Sequence, residues 1–144
     1  MDKSINTKTM PESLVASVTS SLSTRQDRIE IVNQIIAKIA SLDRKFFDYK
    51  GDVSKITQRN GRLYMFNEYT KKDMCINTKY GYPPRMFQHG GTLWGLTKDF
   101  KEFILTGNKS NGENGYGGLY SIHWGYSPES MEDIRQTAKV LGYL

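Results

Sequence analysis

Cysteine and histidine are almost missing from this chain. Its 144 residues hold one cysteine, Cys75, and two histidines, His89 and His123. A lone thiol excludes an internal disulfide framework and fits a reducing compartment. No zinc-ligand spacing can be built from so few donors, so neither a metal site nor a cofactor is expected. Apolar residues make up only 38%, and no apolar run is long enough to span a bilayer or to form a leader behind a charged start. A cytoplasmic protein without a membrane span is the expectation. Alternation of strand and helix is lacking too, which argues against a doubly wound parallel sheet, and no internal repeat is evident.

Aromatics and positive charge are what the chain does have. Two Trp, nine Tyr and six Phe can each bury a large area. The length suits one domain with a substantial core. A net charge of +5 favours acidic partners, either nucleic acid or an acidic protein surface. That bias is mild, because Asp and Glu are scattered among the lysines.

The stretch Arg44 to Asn77 organises the rest. Lys45 to Lys50 is short, aromatic and bounded by charge, as a one-faced strand would be. Lys50-Gly51-Asp52 is a turn signal. Val53 to Arg59 and Arg62 to Glu68 flank Asn60-Gly61, the strongest short hairpin signal, since a type I′ turn needs positive φ twice. In the second run Leu63 and Met65 share one face, Tyr64 and Phe66 the other. Asp73 to Asn77 adds a weaker strand through Met74 and Ile76.

Helices precede and follow. Ser23 or Thr24 caps a helix to Leu42, whose Ile29, Val32, Ile35, Ile36, Ile39 and Leu42 form a wide apolar stripe. Arg25, Arg28, Glu30 and Lys38 are expected outside it. Residues 1–22, rich in Ser, Thr and Lys, read as a mobile or weakly helical arm before a single domain over 23–144. Thr92 to Thr106 forms a second helix with Leu93, Leu96, Phe100, Phe103 and Ile104 inward, ended by Gly107. Leu119 to Trp124 is placed as a further edge strand. Ser127-Pro128 opens the last helix, whose Met131, Ile134, Ala138 and Leu141 face inward before Gly142 stops it. The class is α+β: a small antiparallel sheet of three to four strands with about three helices, in the order α-β-β-β-(β)-α-(β)-α.

Three features bear on chemistry. No catalytic residue is assigned, because Cys75 lies in an apolar strand, where a thiol acts as a small hydrophobe rather than as a nucleophile for His89. The glycine-rich run Asn111 to Gly118 follows a helix and leads toward a strand, the reverse of a phosphate loop. His89-Gly90-Gly91-Thr92 directly precedes a helix, whose unpaired amides favour an anion. With Lys79 and Arg85 nearby, these six residues form a candidate anion or ligand site. The plainer account is that the glycines turn the chain and Thr92 caps the helix.

Cations and rings also interleave through Arg59, Arg62, Tyr64, Phe66, Lys71, Lys72, Lys79, Tyr80, Tyr82 and Arg85. Such a surface can stack bases and track phosphates, although Arg59 to Phe66 lacks the RNA-recognition strand pattern. The same residue types anchor protein interfaces, with Tyr80, Tyr82, Phe87, Trp94 and Trp124 as candidate contacts.

The runs Asn60 to Tyr64, Tyr69 to Lys72, Gly90 to Leu93 and Phe103 to Gly107 resemble a family of short uncharacterised phage, prophage and plasmid proteins. Their ending is similar too, with Trp124-Gly125-Tyr126 before a short acidic helix. The likeness covers roughly Ile29 to Leu144 and transfers no site residue. What it implies is context: an accessory protein of a mobile element, in the host cytoplasm, binding a host protein or complex without catalysis. Counter-defence is one such task; binding of nucleic acid, nucleotide or phosphate is the alternative.

Overall fold

The computed structural model describes residues 24–67, 70–77, 91–112 and 118–144. The N-terminal arm expected over 1–22 lies outside the described residues. Helix α1 (Arg25–Ala40) is followed by strands β1 (Asp48–Tyr49), β2 (Asp52–Val53), β3 (Ile56–Arg59), β4 (Arg62–Asn67) and β5 (Lys72–Cys75). Helix α2 (Gly91–Thr106), a 3₁₀ turn at Gly118–Tyr120 and helix α3 (Pro128–Leu141) complete the order. The architecture is α+β, with α1 packed against α2, α3 and β3.

The strands form two antiparallel sheets rather than one: β1 with β2, and β3-β4-β5. The cause is Phe46-Phe47, both 1% exposed. Neighbours on a regular strand point to opposite faces, so one core can take both rings only if the backbone leaves the strand. It does so with positive φ at Lys45 (52°) and Phe47 (69°). The strand expected from Lys45 to Lys50 is thereby cut to two residues. The run expected from Val53 to Arg59 divides at buried Ser54, whose N–H donates to the Phe47 carbonyl at 2.8 Å.

Asn60 (φ 52°) and Gly61 (φ 78°) form the expected type I′ hairpin, with Arg59 opposite Arg62. Ile56, Leu63, Met65, Met74 and Ile76 are buried together on the inner face. The outer face carries Thr57, Arg59, Arg62, Tyr64, Phe66, Asp73 and Cys75.

Thr24 caps α1, its Oγ1 accepting from the Asp27 N–H at 3.0 Å. The apolar stripe is buried as expected, but Arg28 is not outside it. Position 28 stands four before Val32 and seven before Ile35, so it shares their face. Its Nε donates 2.8 Å to the Ile104 carbonyl. The last turn of α2 has no basic residue of its own, and Arg28 brings a cation to that negative helix end. Asn33, at the stripe's border, donates to and accepts from the Ile56 backbone at 2.9 and 2.7 Å.

The edge strand expected over Leu119 to Trp124 is replaced by the 3₁₀ turn and bends. Trp124, 1% exposed, points inward and donates its indole N–H to the Gly118 carbonyl at 3.0 Å. Tyr126 takes the Phe46 N–H and gives its own proton to the Ile39 carbonyl, both at 2.9 Å. Between them Gly125 (φ 77°) lets Arg44 lie against the backbone and donate to the Trp124 carbonyl at 3.1 Å. Trp124-Gly125-Tyr126 is therefore a clasp that closes the core. Next to it Ser127 caps α3, Pro128 begins it and Gly142 (φ 92°) ends it.

Candidate interaction surface

The outer sheet face gathers Arg59, Arg62, Tyr64 and Phe66 from the interleaved set. Strand alternation places them there, since positions 62, 64 and 66 share one side of β4 and position 59 faces the same way on β3. The hairpin register sets Arg59 directly opposite Arg62, a like-charge pair that costs stability. Arg59 turns away from it. Its guanidinium sits 3.9 Å from the centre of the Tyr64 ring and donates to Asp73 Oδ2 at 2.9 Å. Hydrogen bonding to Asp73 holds Arg59 above its ordinary pKa. Arg62 projects into solvent, Tyr64 and Phe66 are half-buried, and Cys75 stands opposite Tyr64.

A second cluster adjoins the short sheet. Lys71 lies 4.5 Å from the Tyr49 ring centre and pairs with Asp52 at 3.0 Å; Lys50 covers the same ring at 5.3 Å. On α2, Lys98 sits 4.4 Å from the Trp94 ring centre. In each case a cation sits over the ring in cation–π contact. Arginine and aromatic side chains are residue types enriched in protein contacts.

Of the anion-site residues, Lys79, Arg85, His89 and Gly90 lie outside the described residues. Gly91 and Thr92 are half-buried. The helix begins at Gly91, one residue earlier than expected, so Thr92 lies inside its first turn and is not the N-cap. Of the interface set, Tyr80, Tyr82 and Phe87 are likewise outside. Trp94 is half-buried, whereas Trp124 is core and offers no side chain to a partner, because its ring packs on Phe46 and Tyr126 at 5.5 and 5.3 Å. Among the described residues no His, Cys, Asp and Glu cluster could hold a metal ion.

Sequence reasoning missed several polar anchors. Asp43 accepts from the Ser127 N–H and from Ser130 Oγ (2.7 Å), and these bonds hold its pKa below the usual carboxylate value. Buried Asp99 accepts from Tyr143 and Ser110 hydroxyls. Burial first, then the Asp99 charge, pushes Tyr143 well above an ordinary phenol. Arg28, Asn33 and Asp99 each lie within or beside an apolar stripe, and a polar residue there is the signal of a buried partner. Ile122, 88% exposed, and Tyr120, 43% exposed, form another apolar exposure, with Arg135 5.1 Å from the Tyr120 ring centre.

Comparison with known proteins adds a family. A sequence model described as YoqU matches residues 23–144. The SPbeta prophage-derived uncharacterized protein YoqU of Bacillus subtilis (strain 168) is 32% identical over 120 residues, covering 81% of this chain and 82% of that protein. No solved structure matches.

Proposed function

The chain belongs to the YoqU family, and from that premise we propose that it is a prophage accessory protein that acts by binding a host protein, without catalysis. The observation that carries this reading is the outer sheet face. Arg62 and the exposed edges of Tyr64 and Phe66 stand beside the Arg59–Asp73 pair. Arginine and tyrosine at the centre of a contact supply most of its energy, while surrounding ion pairs give register and selectivity. A partner surface with an acidic spot opposite Arg62 and an apolar spot opposite Phe66 would match it. The host process affected is then set by the partner's identity, and a defence complex is the expected target. Since no described helix is long and apolar enough to cross a membrane, the partner is sought in the host cytoplasm.

The test is capture from host lysate on tagged, folded protein, repeated with an Arg62→Glu, Tyr64→Ser double variant. A defined protein held by the parent and lost from a variant with unchanged circular dichroism supports the reading. No partner above background, or equal capture by both baits, removes it. A gel shift with DNA or RNA at low salt that fades steeply as salt rises would put nucleic acid in the protein's place.

A further inference from the structure

The two edges of the three-stranded sheet are finished differently. The Phe66 N–H donates to the Lys55 carbonyl at 3.0 Å, so Thr57–Tyr64 and Arg59–Arg62 are the bonded pairs of β3 and β4. Ile56 therefore turns its amide and carbonyl outward, and the side-chain amide of Asn33 meets both. Asn33 does there what a neighbouring strand would do.

At the far edge the Ile76 N–H donates to the Leu63 carbonyl at 3.0 Å, which makes Met65–Met74 and Asn67–Lys72 the bonded pairs of β4 and β5. Asp73 and Cys75 thus direct their amides and carbonyls away from the sheet. Among the described residues nothing bonds to these backbone groups, and Asp73 is exposed. Among the described residues β3 thus keeps one open residue, Gln58, whereas β5 presents both Asp73 and Cys75, which favours strand addition on the β5 side.

We propose that β5 pairs antiparallel with β5 of a second copy, about a two-fold axis through Met74, joining the sheets into one of six strands. Charge excludes two competing registers, and an axis through Cys75 would pair Asp73 with Asn77, beyond the end of β5. An axis through Asp73 would set Asp73 against its own counterpart, and a parallel arrangement would set Lys72 and Asp73 each against itself; like charges directly opposite are unfavourable. With the axis through Met74, Asp73 faces Cys75 of the second copy and Lys72 faces its Ile76. Each open residue then gives one hydrogen bond and receives one. The buried Met74 side chains meet across the axis and continue the apolar inner face. Asn33 occupies the Ile56 backbone at both outer ends of the joined sheet and leaves Gln58 as a single outward residue of β3, too short a run for a further strand, so the assembly closes as a dimer rather than growing as a filament.

Backbone amide exchange and solution mass test this on the full-length protein. The expected result is a mass of twice 16.5 kDa, with the Asp73 and Cys75 amides slowed and released again on dilution. Met74, bonded to β4 within one chain, should stay protected throughout. Cys75→Pro removes only an amide that β4 does not use, and proline is tolerated at such edge positions. That variant should lose the doubled mass and keep the circular dichroism of the parent. A monomer with fast-exchanging Asp73 and Cys75 amides overturns the proposal. So does a monomer in which they are protected at every dilution, or a dimer whose Asp73 and Cys75 amides exchange freely. If Cys75→Pro does not fold, the parent's exchange pattern and mass decide alone.

Discussion

Replacing Tyr126 with phenylalanine removes one oxygen and leaves the ring, 8% exposed, packed against Phe46 and Trp124 at 5.0 and 5.3 Å. That oxygen accepts from the Phe46 N–H and donates to the Ile39 carbonyl. The two losses are unequal. Ile39 keeps the Leu42 N–H at 3.3 Å, so its carbonyl is not orphaned, whereas the Phe46 N–H sits in the core with its acceptor gone. A lost bond is worth about 1 kcal/mol and an unsatisfied buried group about 1–3 kcal/mol. Tyr126→Phe should therefore cost about 2–3 kcal/mol and lower Tm by roughly 6–12 °C for a domain of this size. Urea unfolding with matched slopes measures it.

The alkaline limb provides a second check. Burial, the largest cause, pushes the Tyr126 phenol up to about 12, above the ordinary value near 10. A raised folded pKa means stability fully present below the unfolded pKa and lost as pH rises toward the folded one. The gap between parent and Tyr126→Phe should then narrow between about pH 10 and 12, since the variant lacks this titration while every other tyrosine is shared. A cost under about 0.5 kcal/mol at neutral pH, or a gap that widens in alkali, refutes the assignment.

Two further stability outcomes follow from the same region. Asp43→Ala should destabilise α3's start, and because the folded carboxyl is held below its ordinary value, that contribution is present above about pH 4 and fades as pH falls through the folded pKa; acid unfolding curves of parent and variant should converge. Gly125→Ala combines a positive φ of 77° with a Cβ 2.9 Å from Arg44 Cδ. It should cost about 1–3 kcal/mol, and adding Arg44→Ala should recover only the steric part in a double-mutant cycle.

Periodic and turn-driven features could be read from the sequence. The Asn60-Gly61 hairpin, the apolar faces of the three helices, and the Ser127-Pro128 start with its Gly142 stop obey local rules that need no tertiary knowledge. Where several long-range contacts compete, local rules failed. Phe46-Phe47 looks like strand until both rings must enter one core, which left-handed backbone at Lys45 and Phe47 achieves here. Leu119 to Trp124 carries strand-forming residues, but the clasp pulls Trp124 inward and bends the chain. Arg28 looks like surface by charge alone, although its position on the helix wheel predicts burial. The outer sheet face was legible from alternation. The engagement of its cations with its rings was not, because Asp73 meets Arg59 across an intervening strand.

Helix α1 reaches three different elements through the Arg28 guanidinium, the Asn33 amide and the Ile39 carbonyl: the end of α2, the edge of β3 and the Tyr126 hydroxyl. Successive residues on a helix are rotated by about 100° and advanced by about 1.5 Å. A slip of one residue would turn Glu30, Asn33 and Ala37, or in the other direction Arg28, Gln34 and Lys38, toward the core in place of the stripe residues. It would break all three polar joints at once. Arg28, Asn33 and the Ile39 carbonyl thus act as a three-pin key that agrees with the apolar stripe on a single seating of the helix.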